Sequence, residues 1–282
     1  MKEGQVSRTA VRVAMGRALA DRLKLTPRFV DPVALEWLPE PVRERVLSFP
    51  SAPPQTLRER WRYGEALAGA NVMVARSVEV DDAVRVAESD QLVILGAGYD
   101  TRAWRMDELS GATVFEVDHP DTQRDKRARA ESRASKAKAL HFVPVDFTRD
   151  SLDDALERAG HDPSRTTTWI WEGVVMYLTR QDIESTLCVV EKRSAPKSRL
   201  VIVYIAPALM LLVLAPLVKR MDEPLRSVFR PRGMSALLAR HGFRATRDVG
   251  VADVAGSMSL ALPAGGLTAR HLRVVTADRQ RQ

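Results

Sequence analysis

The chain has 282 residues, a formal net charge of +7 and a sequence pI of about 9.8. Hydrophobic residues make up 45% of it, enough for a packed core, which excludes a disordered chain. A single cysteine, Cys188, excludes an internal disulfide and any multi-cysteine metal site.

Ser7 is placed to N-cap a helix running to about Leu23, with Val11, Ala14, Ala18 and Leu19 at helical spacing toward a core. Thr26-Pro27 and Asp31-Pro32 break the pattern, because the residue before a proline avoids helix. Val33 to Leu38 reads as a short helix ended near Pro39 and Pro41, and Ser48 to Pro54 as a loop. A longer helix follows from Gln55 to Arg76, with Leu57, Trp61, Leu67 and Val72 near one face, and another covers Asp81 to Glu88. No strand of consequence is predicted here, so residues 1–88 read as a helical cap and not as an independent domain. Met1-Lys2-Glu3-Gly4-Gln5 lacks the apolar core of a signal peptide, and a reducing cytoplasm fits the lone cysteine. Cys188 falls in a predicted helix, with a buried packing role expected.

From Gln91 the pattern alternates. Strands are predicted at Gln91–Leu95, Thr113–Val117, His141–Val145, Thr168–Trp171 and Leu200–Ile205. Helices are predicted near Arg102–Leu109, Pro120–Lys138, Ser151–Ala159 and Arg180–Lys192. Residues 89–206 therefore read as a parallel sheet with helices on both faces. Ligands of such sheets sit at the carboxyl ends of strands, and Gly96, Asp118, Asp146 and Glu172 all fall at those ends. Leu92 to Leu95 is an apolar run that stops at Gly96, and Gly96 and Gly98 let the backbone turn sharply. Glu116 and Asp118 follow about 20 residues later, where a carboxylate holds ribose hydroxyls; solvation of a strand end is the other reading. Both point the same way from the strand, and Asp118 is the one at its end. A dehydrogenase fingerprint needs a third glycine, which Tyr99-Asp100-Thr101-Arg102 lacks. The pattern leans away from NAD and toward S-adenosyl-L-methionine (SAM) methyltransferases, the other large user of this layout.

Arg124 to Lys138 carries seven basic residues, Arg124, Lys126, Arg127, Arg129, Arg133, Lys136 and Lys138. The segment has no aromatic residue for base stacking, so it reads as a solvated helix face and not as a nucleic-acid track. Leu200 to Val218 is nearly all apolar and approaches a membrane span in length. Pro207 and Pro216 interrupt it, and its first part is a sheet strand. Ala208 to Lys219 is expected as an apolar helix, a lid over the pocket or a dimer contact, within a segment covering 207–233. No transmembrane span is expected; weak membrane-surface contact stays open. Pro224 to Arg232 is a basic loop returning toward the site. Residues 234–282 supply a helix from Met234 to His241, stopped at Gly242, and two weaker strands, Arg244–Val249 and Arg270–Thr276, expected as an antiparallel pair. The five histidines show no metal-ligand spacing.

Four motifs stand in order: Leu95-Gly96-Ala97-Gly98-Tyr99-Asp100-Thr101-Arg102, Phe115-Glu116-Val117-Asp118-His119-Pro120, Val145-Asp146-Phe147 and Trp171-Glu172-Gly173-Val174-Val175-Met176-Tyr177-Leu178. With Ser7-Arg8-Thr9-Ala10 and Asp31-Pro32 they resemble the bacterial branch of the SAM-dependent O-methyltransferases related to leucine carboxyl methyltransferase. The resemblance covers nearly the whole chain. It implies an α/β, doubly wound, Rossmann-like class I methyltransferase sheet with a helical N-terminal cap and an apolar lid. It also implies SAM as cofactor and O-methylation of a carboxylate or hydroxyl on a partly apolar small molecule. The resemblance assigns Arg76 to the SAM carboxylate, Asp118 to the ribose, and Asp146 and Phe147 to the adenine end; Gly96 and Gly98 form the cofactor turn. Glu172 suits the methionine amino group or the sulfonium charge. Read alone, Arg76 is also an ordinary surface arginine, Asp146 a cap for the helix near Ser151, and Glu172 a strand-end carboxylate. No catalytic base is identified; His119 and Tyr177 lie near strand ends without a role. An NAD-dependent oxidoreductase using the same crevice, and a non-enzymatic SAM- or nucleic-acid-binding protein, are the competing readings.

Overall fold

The computed structural model describes residues 8–147, 149–207, 225–262 and 271–280. Five strands run parallel: β1 (Gln91–Leu95), β2 (Thr113–Asp118), β3 (Ala139–Pro144), β4 (Thr167–Trp171) and β5 (Arg199–Ile205). Two more, β6 (Phe243–Gly250) and β7 (Leu272–Arg279), close one edge, β7 antiparallel to both β5 and β6. The sheet order is β3-β2-β1-β4-β5-β7-β6. The chain thus walks outward from β1 to β3, then restarts on the other side at β4. The crevice of a doubly wound sheet opens where that reversal occurs, between the carboxyl ends of β1 and β4.

The helices are α1 (Arg8–Leu23), α2 (Pro32–Glu36), α3 (Glu40–Leu47), α4 (Leu57–Ala87), α5 (Arg102–Arg105), α6 (Pro120–Ala130), α7 (Leu152–Arg158), α8 (Arg180–Lys192), α9 (Pro231–Arg240) and α10 (Val251–Ser257). Strand alternation sorts the core into two layers. Leu92, Ile94, Val114, Ile170, Val201 and Val203 pack with the α1, α2, α4 and α10 side. Val93, Leu95, Phe115, Val117, Trp169 and Ile202 pack with α7, α8 and α9. β1 and β4 are buried at every position, as strands covered on both faces must be.

Several elements differ from the sequence reading. The two helices expected at Gln55–Arg76 and Asp81–Glu88 are one helix of 31 residues, capped by the Thr56 side chain and ended by Glu88 in the left-handed region. Ser77, Val78, Glu79 and Val80 are all buried within it, and that packing overrides weak local propensity. Leu57 and Trp61 do not share the packed face with Val72; they are 85% and 67% exposed. A helix at Glu40–Leu47 takes Pro41 into its first turn, where the missing N–H costs nothing. α6 stops at Ala130, short of Lys138. Beyond it the backbone N–H of Lys136 donates to the carbonyl of Ala103 at 2.7 Å and that of Lys138 to Ala112 at 3.0 Å, drawing the chain back toward β2. Cys188 is exposed, because α8 buries the stripe Ile183, Thr186, Leu187 and Val190 instead. Ser7, the Ala208–Lys219 lid and the start of the Arg270–Thr276 strand lie outside the described residues, and β7 runs on to Arg279. The basic loop is described from Leu225, and its Arg226 and Ser227 N–H groups donate to the Met176 carbonyl, back at the end of β4. No helix among the described residues is long and apolar enough to cross a membrane.

Candidate active site

The β1 strand ends on a turn that only glycine fits. Gly96 and Gly98 adopt φ of +73° and +48°. A Cβ on Gly96 would collide with Val174, and one on Gly98 would meet Ala10 of α1 at 3.2 Å. The turn is fastened to the next strand: the N–H groups of Gly96 and Ala97 donate to the Val117 carbonyl at 2.8 and 3.0 Å. The Asp118 carboxylate accepts from the Gly98 N–H with one oxygen and from the His119 N–H, at 2.6 Å, with the other. Burial raises the Asp118 pKa despite the N–H groups of Gly98 and His119, which favour its charge. Asp118 therefore both shapes the glycine turn and presents a carboxylate at the rim of the crevice.

Beside this turn lies a buried ionic cluster. Glu172, the first residue past β4, pairs with Arg76 of α4 at 2.6 Å and with Arg102 of α5 at 3.0 Å. The wholly buried Arg102 also contacts Asp81 at 2.8 Å and Asp100. Arg105 pairs with Asp81 at 2.7 Å, and Arg17 of α1 with Asp31 at 3.5 Å. Arg17 also donates to the Tyr99 carbonyl, so α1 grips the residue that follows the glycines. Four arginines face four acids here. Burial would raise the Glu172 pKa, but Arg76 and Arg102 outweigh it and hold the group low. Burial likewise opposes the charge of Asp100, yet Arg102, Arg17 and Lys126 bring it down to about 2.

Each residue singled out from sequence can now be located. Gly98 is hydrogen-bonded to Asp118 and Gly96 to the neighbouring Val117, and Arg76 and Glu172 are joined as an ion pair. Asp146 lies two residues past β3, next to Val145, whose N–H donates to the Asp118 carbonyl at 2.9 Å. Asp146 does not cap α7; the Ser151 side chain does. Phe147 is 45% exposed on the same loop. Glu116 points into the core instead, with Lys126 at 2.5 Å and both buried. Lys126 is no part of a solvated face, since its ammonium lies 5.5 and 5.3 Å from the ring centres of Trp37 and Trp104. Its neighbours in the basic run are matched as well, Arg129 by Asp125, Arg133 by Glu36 and Lys136 by Asp107. His119 accepts from the Asp121 N–H with Nδ1, a capping role at the head of α6.

Sequence reasoning missed Arg102, Asp81, Asp100, Asp31, Arg17 and Arg105. A signal existed. Charged residues set in apolar stretches, as in Val78-Glu79-Val80-Asp81, are found fully buried only when paired. Two clefts of about 400 and 500 Å³ occur elsewhere, one against the amino ends of β1 and β4 and one beside α10. Neither is lined by Arg76, Gly96, Gly98, Asp118, Asp146, Phe147 or Glu172.

The family profile described as leucine carboxyl methyltransferase matches residues 10–191, more than half of the chain. The chain belongs to the leucine carboxyl methyltransferase family. A Frankia alni protein that carries the provisional name S-adenosyl-L-methionine-dependent methyltransferase is 36% identical over 196 residues, 68% of this chain and 66% of that one. A Mycobacteroides abscessus protein with the same provisional name is 34% identical over 208 residues, 70% of this chain and 66% of that one. The first relatives are thus matched over between 35% and 66% of their own length. Among solved structures, magnesium protoporphyrin IX methyltransferase from Synechocystis, determined with bound SAH, superposes with a TM-score of 0.51 at 15% identity, covering 75% of this chain and 87% of that one. At that identity the likeness concerns the fold, and family and fold agree on a class I methyltransferase sheet.

Proposed function

We propose that the chain is a SAM-dependent methyltransferase that methylates oxygen, on a carboxylate or hydroxyl of a partly apolar small molecule. Its cofactor is S-adenosyl-L-methionine. The observation that carries this reading is the Arg76–Glu172 pair beside the glycine turn. The Arg76 Nε and Glu172 Oε1 approach to 2.6 Å, yet that nitrogen makes no aligned hydrogen bond. Arg76 is buried and Glu172 nearly so, and the Arg76 Nε is left to meet an acceptor. An amino-acid end offers a carboxylate to the first and an ammonium to the second, and an arginine fork suits a carboxylate in particular. Asp118 accepts from ribose hydroxyls at the rim, and the Asp146-Phe147 loop takes the adenine end.

When bound, the cofactor supplies an electrophilic methyl group and its own leaving group. The chain's work is then alignment and exclusion of water. Glu172, held negative by its two arginines, favours a positive charge nearby. Gly96 and Gly98 bring backbone close without a side chain in the way. A carboxylate acceptor needs no base, which suits a site where His119, next to Asp118, is occupied in capping α6.

The purified chain should bind SAM or S-adenosylhomocysteine at micromolar concentration or tighter, roughly −8 kcal/mol. Calorimetry and thermal shift on folded protein, with NAD alongside, decide this. No heat and no shift with either ligand would sink the reading, and a response to NAD alone would turn it to an oxidoreductase. A second expectation separates the two acids of β2. Asp118→Ala should weaken SAM binding by about 1.5–3 kcal/mol, the usual cost of losing hydrogen bonds to a charged group. Glu116→Ala strands Lys126 in the core, so its loss should fall on melting temperature and not on affinity. Unchanged affinity in Asp118→Ala removes that residue from the site.

A further inference from the structure

The amino-terminal end of α4 is unlike the rest of the molecule. Residues 57–62 are exposed at every position, so this end of the helix projects from the body. One stripe carries Leu57 and Trp61, four residues apart and therefore neighbours on the helix surface, at 85% and 67% exposure. Arg58 and Arg60 flank that stripe on its two sides, and Arg62 follows Arg58 one turn on. None of these three arginines pairs with a described acid, whereas the arginines of the site and Arg129 and Arg133 of the basic run do. Two acids share this end: Glu59 is turned to the Thr56 hydroxyl at 2.6 Å, and Glu65 lies one turn beyond Trp61 on the same stripe. The inner side of this end is fixed by Tyr63, which stacks on Phe49 with centroids 5.1 Å apart.

The direction of projection matters. α4 ends at Ala87 and β1 begins at Gln91, and Arg76 meets Glu172 at the carboxyl end of β4. From Arg76 back to Trp61 and Leu57 is therefore roughly 22–28 Å along the helix, at 1.5 Å per residue. The tip extends past the carboxyl edge of the sheet, on the side where the crevice opens.

We propose that this tip docks the protein on an anionic lipid bilayer, with the crevice mouth turned toward the membrane. An apolar pair flanked by arginines whose long stems reach outward is the arrangement of an interfacial helix: the rings and branches enter the acyl boundary while the guanidinium groups meet lipid phosphates. Tryptophan in particular favours that interface. The net positive charge, three arginines against Glu59 and Glu65, fixes the sign of the surface. A nucleic acid fits less well, because Leu57 gives a base nothing to stack on. The acceptor would then be an amphipathic molecule drawn from the lipid phase.

The test is flotation of the full chain with vesicles of phosphatidylcholine alone or mixed with phosphatidylglycerol. Binding to the mixed vesicles only is expected, weakening as salt rises. Leu57→Ala/Trp61→Ala should reduce partitioning at least about tenfold, by loss of buried apolar area. Arg58→Gln/Arg60→Gln/Arg62→Gln should abolish the preference for phosphatidylglycerol. All five positions are exposed, so both variants should keep the wild-type melting temperature and SAM affinity, which separates failure here from failure of the methyltransferase reading. Wild-type partitioning by the Leu57/Trp61 variant overturns the proposal, since any binding then arises elsewhere in the chain. So does absence of vesicle binding by the wild type, or binding to single-stranded DNA in its place.

Discussion

Arg102→Met should destabilise the protein by about 3–5 kcal/mol, the range for breaking a buried ion pair from one side. The melting temperature should fall by roughly 10 °C. Arg102 is the hub of the cluster, touching Asp81, Asp100 and Glu172 at once. Asp81 would keep Arg105, and Glu172 would keep Arg76. Asp100 would lose its ion-pair partner and keep only the weaker attraction of Arg17 and Lys126, so Asp100→Asn in the same background should recover part of the loss. A double-mutant cycle reads this directly. The pH dependence has a definite sign. Asp100 sits at about 2, below its ordinary value of 3.8, so its contribution is complete above that ordinary value and is lost as pH falls toward 2. Removing Arg102 lets Asp100, Asp81 and Glu172 take up protons at higher pH, and acid unfolding should begin nearer neutrality. Wild-type melting temperature in Arg102→Met, or an unchanged acid transition, would show that the cluster does not hold the crevice together.

Lys126→Met should give the opposite pH dependence. Burial pushes the Glu116 carboxyl up to about 7, although Lys126 favours its charge. Without Lys126 that value climbs further. A carboxyl whose folded pKa exceeds its unfolded one binds more protons in the folded state, so stability declines as pH rises between the two values. The variant should therefore lose about 3–5 kcal/mol relative to wild type at pH ~8 and distinctly less at pH ~5. Urea denaturation at both pH values measures it. An equal loss at the two, or a larger one in acid, would count against the buried pair. Glu116→Leu/Lys126→Met, which removes both charges together, should lie close to wild type at either pH.

The contrast between these pairs and the strand ends shows what was legible beforehand. Leu92 to Leu95 and Thr113 to Val117 announce buried strands, because β-branched and apolar runs of that length, stopped by glycine or acid, have few alternatives. The sheet, its reversal and the turn at Gly96 follow from that alternation. Asp118 and Glu172 could be nominated because the fold itself defines where strands end. Distant pairing was hidden. Lys126 sits in a run of seven basic residues that reads as a wet helix face. Only the approach of Glu116, Trp37 and Trp104 in space makes it a core residue. The continuity of α4 through Ser77 to Val80 was hidden for the same reason, since burial and not propensity decides it. The exposure of Trp61 is the converse case: helical spacing proposes a packed face, but nothing in a sequence says that the helix outruns the body it packs on.

The cluster of Arg17, Arg76, Arg102 and Arg105 with Asp31, Asp81, Asp100 and Glu172 sums to zero formal charge. The whole excess of +7 therefore belongs to the rest of the chain. Charge is thereby partitioned into an internal lattice shielded from ions and an outer layer open to them. Ionic strength becomes a selective dial: it weakens whatever the exterior attracts while leaving the crevice almost untouched. Attraction at the exterior and cohesion of the crevice can then be tuned by solution conditions independently of one another.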